Sequence, residues 1–200
     1  MTAMTEIFIS VDVEAAGPIP GEYSLLSIGA CLVDEPSHTF TCELKPINDH
    51  ADPQALSVTG LSLDVLRQRG LDPQLAMRRF DDWLRDGIDT DESLVFVGLN
   101  APFDWSFVNY YFYRFLGRNP FGFTALDIKA YYMGVTGCRW SDTRSSQIAR
   151  SLNVQMAGNH QALHDAQYQA ELFRLLRDQV NGRGSPRKKG GDLVEDDSHT

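Results

Sequence analysis

The chain has 200 residues, 42% hydrophobic and 22% charged, which fits one globular domain and excludes a fibrous or wholly disordered polymer. Eighteen basic residues against 27 acidic ones give a net charge of −9. That excludes a broadly basic nucleic-acid coat, but not an enzyme that meets phosphate through bound cations.

No apolar run approaches the ~18 residues of a membrane span. The opening MTAMTEIFIS carries neither a basic start nor a long apolar stretch, so no signal peptide is expected. Cys31, Cys42 and Cys138 match no zinc or redox spacing. Together these features predict a cytoplasmic protein with reduced thiols and no membrane contact.

Ile7 to Val13 alternates, with Ile7, Ile9, Val11 and Val13 on one face and Phe8, Ser10, Asp12 and Glu14 on the other, which predicts a strand. After the loop Gly17-Pro18-Ile19-Pro20-Gly21, strands are expected at Tyr23–Val33 and His38–Leu44, joined by Asp34-Glu35-Pro36-Ser37 as an antiparallel meander. Short helices follow at Pro53–Val58 and Leu63–Arg69. An amphipathic helix over Pro73–Arg85 offers Leu75, Met77, Phe80 and Leu84 to the core.

Leu94–Leu99 reads as a short strand, Phe103–Leu116 as an aromatic-rich helix and Phe123–Leu126 as the last strand. Asp127 is placed to cap the helix after it. A short helix over Ser145–Leu152 precedes a long one over His160–Asp178, with Leu163, Ala166, Ala170 and Phe173 on one stripe. Residues 1–181 thus form the domain. Residues 182–200, rich in Gly and charge, with Arg187-Lys188-Lys189 ahead of Glu195-Asp196-Asp197, are expected to be a disordered tail. The order of elements predicts an α/β domain with one mixed sheet and helices on both faces.

Three local patterns carry chemistry. Asp12 and Glu14, two apart on a strand, project to the same face, where like charges raise each other's pKa and a divalent cation would relieve them. Asp104 lies in Asn100-Ala101-Pro102-Phe103-Asp104 at a helix start, where complementing the helix dipole is its simplest role. His160 and Asp165 lie roughly 140° apart on a regular helix. They converge only if His160 sits on the loop or first turn, which Ala157-Gly158-Asn159 allows. His164, at i+4 from His160, suggests a zinc pair but lacks a recognisable third ligand, so it reads as a solvent-facing bystander.

Asp-x-Glu on the first strand, Asn-Ala-x-Phe-Asp in mid-chain and His-x4-Asp near the end together resemble the DEDDh family of 3′→5′ exonucleases, from about Ile7 to Leu176. The resemblance implies a ribonuclease H-like fold with a five-stranded mixed sheet. It also implies two divalent cations, Mg²⁺ or Mn²⁺, held by Asp12, Glu14, Asp104 and Asp165, with His160 as general base. The expected partner is the 3′ end of single-stranded DNA or RNA, or a short oligonucleotide. A homodimer stays open, since some members dimerise.

Val13, Asn100 and Phe103 are candidate substrate contacts, with core packing the alternative for Phe103. Leu61 resembles an apolar wedge against the terminal bases, with a helix-turn contact the alternative. Trp105, Trp140 and Tyr110-Tyr111 suit either base stacking or the core. Two departures touch substrate handling. Ala15-Ala16-Gly17 stand where members often carry Thr, leaving backbone N–H groups to serve. Leu99 stands where many carry His. The alternatives are a non-catalytic nucleic-acid-binding module on the same fold and a phosphohydrolase of very short oligonucleotides.

Overall fold

The computed structural model describes residues 5–86 and 92–184. Strand β1 (Thr5–Ala15) is central, and its alternating side chains are buried on both faces over most of its length. It pairs antiparallel with β2 (Leu25–Leu32), which pairs antiparallel with β3 (Thr39–Glu43), giving the expected meander. On its other side β1 runs parallel to β4 (Glu92–Gly98), and β4 runs parallel to β5 (Ala125–Asp127). The sheet order is β3-β2-β1-β4-β5.

Parallel pairs need long crossovers, and the helices supply them. These are α1 (Pro53–Thr59), α2 (Leu63–Arg69), α3 (Pro73–Arg85), α4 (Ala101–Leu116), α5 (Ile128–Thr136), α6 (Ser145–Leu152) and α7 (Ala162–Gly184), with a 3₁₀ turn at Trp140–Asp142. Their starts are written in the sequence. Asp52 accepts from the Gln54 N–H, Asp72 from Gln74 and Leu75, and proline opens α1 and α3.

One core lies between the Ile9, Val11 and Val13 face of β1 and helices α3 and α4, through Met77, Phe80, Phe107 and Tyr111. A second lies on the opposite face, where Phe8, Cys31 and Val97 pack against Ile128, Phe173 and Leu176 of α5 and α7. Helices thus cover both faces, as expected. No described helix is long and apolar enough to cross a membrane.

Several expectations need correction. Leu75 is 42% exposed, and Ala76 joins the buried stripe instead. At ~100° per residue, Leu75 lies almost opposite the mean direction of Met77, Phe80 and Leu84. Helix α4 starts at Ala101 rather than Phe103, because Pro102 suits a first turn. Strand β5 begins at Ala125, and Phe123 sits before it, 84% exposed. Helix α7 starts at Ala162 and runs to Gly184, into the stretch expected to be tail, whose remainder, 185–200, lies outside the described residues.

Tyr111 is fully buried and its hydroxyl accepts the Leu25 N–H at 2.8 Å, while Trp105 packs edge-on against Phe96. Both are core rather than stacking surface.

Candidate active site

Asp12 and Glu14 stand at the carboxyl end of β1, just before the strand pairing shifts register between Glu14 and Ala15. Asn100 follows the carboxyl end of β4, and α7 begins nearby. The carboxyl ends of parallel strands are where open α/β sheets bind ligands. A cavity of about 940 Å³ opens there, and Asp12, Val13, Glu14, Asn100, Phe103, Asp104, His160 and Asp165 all line it. Leu61 lines instead a neighbouring cavity of about 460 Å³, which shares Glu14 and His160 with the first.

His160 and Asp165 converge because His160 lies off the helix. It adopts a left-handed conformation, φ 60°, two residues before α7. The Asn159 N–H donates to Asp165 Oδ1 (2.8 Å) and the His160 N–H to Oδ2 (3.0 Å). Asp165 thus folds the preceding loop back over its own carboxylate. Ligand atoms of Glu14, His160 and Asp165 come within 4.8 Å of one another. His164 is not the free bystander expected: its Nδ1 lies 3.3 Å from Asp165 Oδ1 and its side chain is half-buried.

Asp104 is buried in the first turn of α4 and accepts the Val13 N–H at 3.0 Å. This ties the helix to β1 and spends the one backbone donor that Val13 has. The Ala16 N–H is likewise taken, by the Ser24 carbonyl at 2.8 Å. The expectation that backbone donors here replace the missing threonines therefore fails at Ala16. Asn100 also takes a left-handed conformation, φ 73°, which Asn tolerates better than most residues. Its side chain makes no capping bond, so it remains available to the cavity.

Three of the carboxylates hold their protons unusually tightly. Burial and the neighbouring charges of Asp104, Glu14 and Asp165 push Asp12 well above the carboxylate range. Burial, with Asp165 beside it, raises Glu14 to about 7. Burial raises Asp104 to about 8, against the opposing pull of the Val13 N–H. Oxygen donors crowded this way match what a hard divalent cation requires, and its charge would reverse the repulsion that favours protonation.

Three supporting residues escape any reading of the sequence. Gln169, 3% exposed, donates through Nε2 to Asp12 Oδ1 (2.5 Å) and accepts the Leu99 N–H at Oε1 (2.8 Å). Gly29 sits opposite Asp12 on β2, and a Cβ there would lie 2.1 Å from the backbone of Ala162 and Leu163. The absent side chain is what lets α7 start against the sheet. Ser10 Oγ donates to the Ala166 carbonyl (2.7 Å), fixing α7 further. Asp127 caps α5 as expected, accepting the Ala130 N–H at Oδ1 (2.7 Å), and its other oxygen accepts the Ala101 N–H at the start of α4 (2.8 Å).

A five-stranded mixed sheet, with acids at its carboxyl edge and a histidine on the loop before the last helix, is the arrangement of a DEDDh exonuclease with a ribonuclease H-like fold. Residues 9–173 match the exonuclease family model RNase_T, and the chain belongs to this family of 3′→5′ exonucleases. It is 58% identical over 171 residues to the 3′-5′ DNA exonuclease Cap18 of Escherichia coli, covering 86% of this chain and 91% of that one. Among solved structures, the nuclease domain of 3′hExo, a DEDDh family member bound to rAMP, superposes with a TM-score of 0.70 at 18% identity over 88% of this chain and 92% of that one. E. coli exonuclease I in complex with a dT13 oligonucleotide gives a TM-score of 0.68 at 16% identity over 90% of this chain and 43% of that one.

Proposed function

We propose that the chain removes mononucleotides from the 3′ end of single-stranded DNA, using two divalent cations, Mg²⁺ or Mn²⁺. In this reading Asp12, Glu14, Asp104 and Asp165 hold the cations and His160 is the general base. The observation that carries it is the approach of Glu14, His160 and Asp165 to within 4.8 Å, beside Asp12 and Asp104 in one cavity. DNA is favoured over RNA by the 58% identity to a DNA exonuclease.

The cations, when bound, activate a water and offset charge on the scissile phosphate. The chain's own residues do the rest. Asp165 fixes the loop that carries His160, which puts the imidazole at the exposed mouth of the cavity. There it takes the proton of the attacking water. The water oxygen bonds to phosphorus, the bond to the 3′ oxygen breaks, and that oxygen takes a proton from solvent. The products are a nucleoside 5′-monophosphate and a strand one residue shorter. Asn100 and Phe103, on the α4 side, line the space for the terminal nucleotide together with Val13, and Leu61 lines the neighbouring cavity.

The test is degradation of 5′-labelled single-stranded DNA and RNA of equal length with Mg²⁺, Mn²⁺ or EDTA. A ladder shrinking from the 3′ end, faster on DNA and abolished by EDTA, is expected. Asp12→Ala and Asp165→Ala should each stop it with the fold intact. An undiminished rate in either variant refutes the assignment, and faster loss of RNA refutes the choice of DNA.

A further inference from the structure

The protein is acidic as a whole, yet the stretch from Lys129 to Gln155 carries the four bases Lys129, Arg139, Arg144 and Arg150 against the single acid Asp142. This stretch folds as α5, the 3₁₀ turn and α6. Helix α6 and the segment after it make one wall of the catalytic cavity, contributing Arg144, Ser145, Arg150, Asn153 and Gln155.

Most arginines with defined partners elsewhere are tied to acids. Arg67 pairs with Asp49 and Asp64, Arg118 with Asp81, Arg174 with Glu171 and Arg177 with Asp34. Lys129 lies over the Trp140 ring, 4.6 Å from its centre. Arg69, Arg78, Arg79 and Arg139 also lack an ion pair among the described residues, but only Arg144 and Arg150 of the described arginines stand in the catalytic cavity. Both are exposed, both line the cavity, and among the described residues neither forms an ion pair. They share that cavity with four carboxylates, so two unpaired guanidiniums there are not an incidental feature of an acidic surface.

A guanidinium presents a rigid fork of donors that fits a phosphate diester. The two arginines are six residues apart, Arg144 just ahead of α6 and Arg150 within it, so their backbones stand on the order of 9 Å apart along its axis. They suit successive phosphates of an extended strand. The terminal nucleotide's space lies along α4, at Asn100 and Phe103, which leaves the α6 wall for the chain that follows.

We propose that Arg144 and Arg150 grip the sugar–phosphate backbone of the single strand upstream of the scissile bond, making the substrate a polymer rather than a dinucleotide. The inference rests on the exonuclease reading above and adds the substrate's length and path to it.

The experiment measures kcat and KM on dT20 with Mg²⁺ across a series of NaCl concentrations, for the wild type, Arg144→Gln/Arg150→Gln and Arg144→Lys/Arg150→Lys. Each phosphate contact on a single strand contributes about 0.7 to the slope of log affinity against log salt. The Gln pair should therefore flatten the salt dependence of 1/KM by about 1.4 and raise KM roughly tenfold at low salt, with the smaller part of the effect in kcat. The Lys pair, which keeps both charges, should restore most of the slope. The preference for dT20 over the dinucleotide dTdT should shrink with the Gln pair. Single variants, each flattening the slope by about half as much, carry the test if the double variant melts below the assay temperature. Wild-type KM and salt slope in the Gln variants overturn the inference. A wild type that leaves dT20 intact overturns the exonuclease reading instead.

Discussion

Replacing Glu14 by Gln keeps the shape of the side chain and removes a charge that the fold resists. Burial and the neighbouring Asp165 push the Glu14 carboxyl up to about 7, from 4.5 in an open chain. At pH below 4.5 the proton is on in both states and the site costs the fold nothing. Between 4.5 and about 7 the unfolded chain gives up its proton first, so stability falls by about 1.4 kcal/mol for each pH unit. Over the whole interval that amounts to about 3 kcal/mol, reduced to roughly 1–2 kcal/mol because Glu14 lines an open cavity where solvent screens it.

The contribution is thus fully present below 4.5 and lost as pH rises through about 7. Urea unfolding of the wild type and Glu14→Gln in EDTA, at about pH 4.5 and pH 8, measures it. The wild type should lose about 1–2 kcal/mol relative to the variant between the two conditions. Mg²⁺ at pH 8 should stabilise the wild type by about 2.7 kcal/mol at a hundredfold excess over its Kd, and the variant, which loses one of the ligands, by less. An equal pH dependence in the two proteins, or a larger loss in the variant, refutes the account of a proton-holding site.

His160→Gln should lower the single-turnover rate by about 10²- to 10⁴-fold, the usual share of a general base, with little change in the thermal midpoint because the side chain is exposed. A loss under tenfold removes His160 from that role. Gln169→Leu should weaken Mg²⁺ binding by about 10- to 100-fold, as loss of a ligand's orienting partner does. It should also cost roughly 1–3 kcal/mol of stability, because the Leu99 N–H loses its acceptor. Mg²⁺ titration and urea unfolding read the two effects separately, and unchanged Mg²⁺ affinity refutes the orienting role. Gly29→Ala forces a methyl into the start of α7. A loss of about 1–3 kcal/mol and a fall in kcat are expected in denaturation and steady-state assays, and a variant that matches the wild type in both refutes the close approach.

What the sequence disclosed follows the physical range of each signal. The i, i+2 spacing of Asp12 and Glu14 is local to one strand, so their shared face was legible. Asp127 caps three residues on and was readable for the same reason. His160 and Asp165 were harder, because their convergence depends on one left-handed residue, which Gly158 and Asn159 hint at but do not dictate.

Gln169 was illegible. In a long helix a lone glutamine looks like solvated surface, and only the packing of α7 across β1 and β4 puts it beneath Asp12. Gly29 looked like any small residue in a strand, since the helix it admits lies 133 positions later in the chain. The arginine wall was hidden as well, because a net charge of −9 averages away a local basic patch.

The two oxygens of Asp127 have a consequence for how this cavity can change over evolutionary time. One carboxylate fastens the start of α4 and the start of α5 to the same point. The wall that bears Asn100, Phe103 and Asp104 is therefore clamped at its root, while the loop after α4 holds the helix's far end through Asn119, which donates to Asn109, and Phe121, buried against Phe96 and Phe112. Asparagine, almost the same shape, has one accepting oxygen for two donors. It would release one of the two helices, so this position is closed to drift.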